Sequence, residues 1–134
     1  MTDVIFVDTS AYFAILDKSD KNHNKAVSFL EKNDLPLITS NLVVIETINL
    51  VNSRIGHEPA TQLGKKLYNE SFTTVVDVTS EDEKKAWQIF QKYSDKDFSL
   101  TDCVSFALME RLRIKRAFAF DVHFIQYGKL SIVP

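Results

Sequence analysis

Val4-Ile5-Phe6-Val7-Asp8-Thr9-Ser10 is the stretch that decides how this chain is read. Its four apolar residues, mostly β-branched or aromatic, predict a short strand buried on both faces. The strand ends on an acid, and Thr9 and Ser10 open an amphipathic run through Ala14, Ile15 and Leu16. In an open α/β sheet, ligands gather outside the carboxyl ends of the parallel strands, which is where Asp8 falls. The question for the remaining residues is whether other acids reach the same edge.

Outward from that strand, the pattern repeats. Leu37-Ile38-Thr39, Thr73-Thr74-Val75-Val76, Ala117-Phe118-Ala119-Phe120 and Leu130-Ser131-Ile132-Val133 read as further short strands. Helical periodicity lies between them. Val44, Ile48, Val51 and Ile55 form a stripe on a helix from about Leu42 to Ile55, ended by Gly56. Pro59 stands near the first turn of another helix, which carries Leu63 and Leu67. Thr79-Ser80 followed by Glu81, Asp82 and Glu83 is a strong helix start, and Ser99 to Ile114 is a long helix. Alternating strands and helices predict an α/β fold, with a central parallel sheet of four to five short strands flanked by helices.

The bulk numbers bound the rest. With 134 residues, 45% hydrophobic and no linker or repeat, residues 1–134 are expected to form a single domain. Cys103 is the only cysteine, which excludes an internal disulfide and any multi-cysteine zinc site. No signal peptide and no apolar run long enough to span a bilayer is present, so the expectation is a cytoplasmic protein without a membrane partner. Net charge is -2 and the pI about 5.9, which argues against a non-specific nucleic-acid binder but not against a nucleic-acid enzyme with its acids in a metal site. The three glycines, Gly56, Gly64 and Gly128, build no phosphate-cradling loop.

Asp8 and Asp121 each end a predicted strand, and Asp102 lies in the first turn of its helix. Each has a structural explanation as well. Aspartate is a favoured N-cap, and Ser99-Leu100-Thr101-Asp102 matches a capping box. Glu46 is harder to explain that way. Leu42, Val43 and Leu50 surround it at helical spacing, and no lysine or arginine stands within reach on its own helix. An acid so placed needs compensation from outside the helix, by an arginine or by a cation. Gathered at one sheet edge, carboxylates ~5 Å apart repel by about 3 kcal/mol per pair at an effective dielectric of about 20. Such a cluster requires a cation or protonation, and an oxygen-only ligand set selects magnesium or manganese.

Asp8-Thr9-Ser10 after a first strand, Glu46 in a helix, Ser99-x-Thr101-Asp102 and Phe120-Asp121-x-His123-Phe124 together resemble the PIN domain, most nearly the small VapC-type toxins. The resemblance runs, in order, along essentially the whole chain. It implies a three-layer fold around the parallel sheet and a Mg2+- or Mn2+-dependent endoribonuclease with Asp8, Glu46, Asp102 and Asp121 as its catalytic and metal-binding acids. It also implies an RNA substrate, a small antitoxin protein as partner, and a homodimer. Ala119 stands where family members often carry threonine, two positions before the last acid, which removes a hydroxyl contact near Asp121.

Two other functions stay open at this stage. Asp8 is a possible nucleophile for aspartyl-phosphate transfer, with Asp77 as the acceptor of a receiver-like domain, although Ser10 stands where a phosphotransferase of this kind carries a second acid. A non-catalytic binding module that uses its acids only as caps is the third reading. His23, His57 and His123 are expected to be surface or packing residues. Trp87 and the phenylalanines are expected in the core, and Cys103 as a small buried apolar residue. Arg111, Arg113, Lys115 and Arg116 are expected to form a solvated, basic helix end, and Asp97 to be a loop acid.

Overall fold

The computed structural model describes residues 3–134. In chain order the elements are β1 (Ile5–Val7), α1 (Thr9–Leu16), α2 (His23–Lys32), β2 (Leu37–Ser40), α3 (Asn41–Arg54), α4 (His57–Tyr68), β3 (Thr74–Val76), α5 (Ser80–Lys92), α6 (Leu100–Leu112), β4 (Arg116–Phe118), α7 (Val122–Tyr127) and β5 (Ser131–Val133). The five strands form one sheet in the order β3-β2-β1-β4-β5, and every pairing is parallel. Successive side chains of a strand point to opposite faces, yet Ile5, Phe6 and Val7 are all buried. Both faces of β1 are therefore covered by helices, as a parallel sheet requires.

Strand order places the functional edge. From β1 the chain runs outward through β2 and β3, then returns to lay β4 on the other side of β1. The two halves part between β1 and β4, and a crevice opens there beyond the strand ends. Val7 pairs with Phe118 at the end of that ladder, and the Asp8 N–H still donates to the Phe118 carbonyl at 3.0 Å.

The last expected strand before the final helix is shorter than its apolar run. β4 stops at Phe118, and the Phe120 N–H is turned out of the ladder to donate to Ser10 Oγ at 2.9 Å. Asp121 is thereby released from the strand to become the N-cap of α7. At the end of α3, Gly56 takes a φ of 148°, which an L side chain rarely adopts, so the turn into α4 needs glycine there.

Three packing expectations need correction or refinement. Trp87 is 52% exposed and stacks on Phe90 at 5.6 Å between ring centroids. Ala86 and Ile89 are the apolar residues α5 buries, which turns its aromatic pair outward. Arg111 is exposed, as expected, but it is not a free helix end. Its guanidinium donates to both oxygens of the buried Asp82, at 2.8 and 3.0 Å, and so ties α6 to α5. Cys103 is buried as expected, and burial pushes its thiol up to about 11, out of the reactive range.

Burial alone would raise the Asp82 carboxyl, but hydrogen bonds from Arg111 and Thr79 outweigh it and hold it below the usual range. Arg111→Ala is expected to cost about 2 kcal/mol at pH 7, because a buried charged acceptor loses its fork of donors. The pair's contribution is present above the unfolded carboxyl pKa of about 3.9 and is lost as pH falls through the lower folded value. Urea midpoints of wild type and variant at pH 7 and in acid check both statements, and an unchanged midpoint at pH 7 contradicts the first.

Candidate active site

Beyond the β1 and β4 ends lies an open cavity of about 750 Å3, lined by Asp8, Glu46, Asp102 and Asp121 among others. The four acids arrive from four elements. Asp8 caps α1, Asp102 is the third residue of α6, Asp121 caps α7 and Glu46 projects from α3. The fold thus brings all four expected residues to one place.

Each carboxylate spends one oxygen on the protein. Asp8 Oδ2 accepts from the Ser10 N–H at 3.1 Å and the Ser10 hydroxyl at 2.7 Å. Asp102 Oδ2 accepts from the Ser99 N–H at 3.1 Å, closing a capping box, and from His123 Nδ1 at 2.8 Å. Asp121 Oδ1 accepts from the His123 N–H at 2.9 Å, and Glu46 Oε1 from the Thr9 hydroxyl at 2.7 Å. The second oxygen of each has no hydrogen-bond donor among the described residues, and none of these atoms is a buried group left without a partner. Capping and ligand binding are therefore compatible here: one oxygen orients the group, and the other is free of protein donors on a residue that lines the cavity.

The electrostatics show the strain of that gathering. Burial, opposed by the Ser10 hydrogen bonds and reinforced by Asp102 and Asp121, pushes the Asp8 carboxyl up to about 7. Asp102 is also raised, first by burial and then by Asp121, against the pull of the Ser99 N–H and His123. Among the described residues no lysine or arginine pairs with Glu46, whose partner is Thr9. Thr9 in turn touches the buried Thr47 hydroxyl at 3.0 Å, so its rotamer is held.

His123 was not expected in the site, and its placement is a correction. Its Nδ1 lies 2.8 Å from Asp102 and 3.3 Å from Asp121, while its ring packs edge-on against Phe98 at 5.7 Å. Asp102, Asp121 and His123 offer ligand atoms that all lie within 4.8 Å of one another. The hint in the sequence was its place in Phe120-Asp121-x-His123-Phe124, a spacing of two residues from Asp121 that a surface residue can share. Of the other histidines, His23 binds the Ala14 carbonyl at 2.8 Å and His57 is exposed.

The donor set fits a hard divalent cation. Asp102 and Asp121 stand close enough to share an ion, Asp8 and Glu46 line the same cavity, and the imidazole Nδ1 is committed to Asp102. Burial first, and then the charges of Asp102 and Asp121, make an uncompensated Asp8 carboxylate costly, which a bound cation would offset. Asp97, by contrast, is exposed and does not line the cavity. Asp77 is exposed beside the edge strand β3 and does not line it either, so a receiver-like use of Asp8 has no second acid from that side.

The comparisons with known proteins agree with this architecture. The chain is 32% identical over 131 residues to the 23S rRNA-specific endonuclease VapC20 of Mycobacterium tuberculosis (strain CDC 1551 / Oshkosh), covering 98% of this chain and 99% of that one. The crystal structure of VapC20 from Mycobacterium tuberculosis, described as a sarcin-ricin loop cleaving toxin, superposes with a TM-score of 0.89 over 97% of this chain and 99% of that one. A toxin-antitoxin complex from Klebsiella pneumoniae holds a chain of the same fold, at 13% identity with a TM-score of 0.68 over 97% of this chain and 96% of that one. The PIN domain model matches residues 5–130, the span that carries β1 to β4, the switch point and all four acids, and the chain belongs to the PIN domain family.

Proposed function

We propose that this chain is a Mg2+- or Mn2+-dependent endoribonuclease and the toxin of a toxin-antitoxin pair, with residues 1–134 acting as one catalytic domain. The observation that carries the reading is four carboxylates from four elements lining one cavity, each with one oxygen held by the protein and the other free of protein donors. Asp8, Glu46, Asp102 and Asp121 would hold the ion or ions. When bound, such a cation supplies Lewis-acid activation of the attacking water and offsets charge at the phosphodiester.

The chain's own contribution is orientation. The Ser10 hydroxyl ties Asp8 to the Phe120 backbone, which couples the β1 and β4 ends into one rigid edge. Thr9 at the start of α1 holds Glu46 of α3, and His123 fixes the Asp102 carboxylate while Phe98 packs against the imidazole. His123 is thus a positioning residue. His123→Ala is expected to lower cleavage about ten- to a hundredfold, the usual loss when a partner of a metal ligand is removed. His123→Gln, which keeps a donor, is expected to recover part of it. Equal rates for wild type and His123→Ala would contradict that role.

Structured ribosomal RNA is the first substrate to test, since the VapC20 relative is named for cleaving 23S rRNA. An antitoxin protein and a second copy of this chain are the proposed partners. Incubation of the purified chain with a ribosomal RNA stem-loop, in manganese and in EDTA, tests the activity directly. Cleavage at a single bond only in manganese supports the reading, and intact RNA in both conditions contradicts it.

A further inference from the structure

We propose that Arg54 is a binding contact for an RNA phosphate outside the reacting bond, seated for that task by Phe13; this rests on the ribonuclease reading. The cavity is lined by five acids, Asp20 joining the four already described, and Arg54 is the only lysine or arginine on its wall. An RNA strand carries one negative charge per nucleotide, so a wall of that composition repels it except where positive charge is supplied. A cation held by the acids serves the phosphate being cleaved. The neighbouring phosphates need another source, and the wall offers one residue.

Placement supports the same role. Glu46, Leu50 and Arg54 follow one another at four-residue spacing along α3 and all line the cavity. They share one face of the helix, with Arg54 about 12 Å along the axis from Glu46. That is too far to touch the bond the acids act on, yet within a few nucleotides of it. The guanidinium carbon stands over the Phe13 ring at 5.6 Å from its centroid, a cation–π distance. Despite five acids in the same cavity, Arg54 pairs with no carboxylate among the described residues. The exposed head lies over Phe13 while its donor fork stays unspent, the state suited to meeting a phosphate.

A cation in the last turn of α3 also complements the helix dipole, worth about 0.3–1 kcal/mol. That role alone needs neither the Phe13 seat nor the cavity wall. The experiment therefore measures steady-state cleavage of an RNA stem-loop in manganese at several salt concentrations. Wild type is compared with Arg54→Ala, Arg54→Lys and Phe13→Leu. Arg54→Ala is expected to raise KM about tenfold with kcat within about twofold, and to flatten the slope of log(kcat/KM) against log salt by about 0.7–0.9. Arg54→Lys should restore the slope but only part of KM, and Phe13→Leu should raise KM with the slope kept.

Unchanged KM and slope in Arg54→Ala overturn the proposal, as does a loss in kcat alone or a loss confined to one RNA sequence, which marks a base contact. Those outcomes leave the ribonuclease reading standing provided Asp8→Asn still abolishes cleavage. A wild-type chain that does not cleave removes the ribonuclease reading instead. Fluorescence anisotropy with the labelled stem-loop in calcium then decides Arg54: weaker binding and a flatter salt slope in Arg54→Ala support the contact, while equal binding, or none by wild type, overturns it.

Discussion

Asp8→Asn and Asp102→Asn are each expected to abolish RNA cleavage while leaving the metal-free protein as stable as wild type or more so. Asparagine caps a helix about as well as aspartate, and its amide oxygen can accept the Ser10 or Ser99 donors that the carboxylate now holds. What it cannot supply is a second anionic oxygen toward the cavity. Removal of an outer partner already costs about ten- to a hundredfold, so loss of a direct ligand should cost at least about a hundredfold. The stability half of the result follows from the raised Asp8. An acid whose folded pKa lies near 7, well above its unfolded value of about 3.9, favours folding below that unfolded value and loses this contribution as pH rises through the folded one. In EDTA, wild-type Tm should therefore fall from pH 5 to pH 8, and Asp8→Asn should flatten that fall. The decisive pair is Tm in EDTA and cleavage in manganese. Full cleavage by both variants returns Asp8 and Asp102 to a purely capping role.

Manganese or magnesium is expected to stabilise the fold by about 2.7 kcal/mol at ~100 times its dissociation constant, with no comparable effect of a monovalent salt. The same carboxylates that repel one another in the free protein become ligands, so the penalty at Asp8 and Asp102 is relieved on binding. Protons held by that cluster must leave as the ion enters. Calorimetry near pH 6 in two buffers of different ionisation enthalpy should show proton release, which fades above about pH 8, where Asp8 is already ionised. Binding without any proton release at pH 6, or a Tm indifferent to both EDTA and saturating manganese, would remove the metal centre from this account.

Periodicity and strand ends were enough to establish the α/β class, because a run such as Val4–Val7 has few other ways to bury itself and a terminal aspartate few better places than a helix start. They also singled out Asp8, Glu46, Asp102 and Asp121, Glu46 through local contradiction: an acid among leucines with no basic neighbour on its helix. The sequence posed capping and ligand binding as rivals, and only the tertiary structure shows that capping leaves the second oxygen of Asp8 and Asp102 without a protein donor. The contacts of His123 and Arg54 likewise lay beyond sequence reading, although His123 stands in the Asp121-x-His123 motif. Their roles come from contacts across 21 residues to Asp102 and from α3 to the Phe13 ring on α1. Trp87 was misjudged because residue type alone does not say which side of α5 meets α6. Local spacing along a chain determines which elements form and which residues end them. Distances between elements, and hence the assembly of a site from β1, α3, α6 and the β4–α7 junction, are set only when the sheet order brings those elements to one edge.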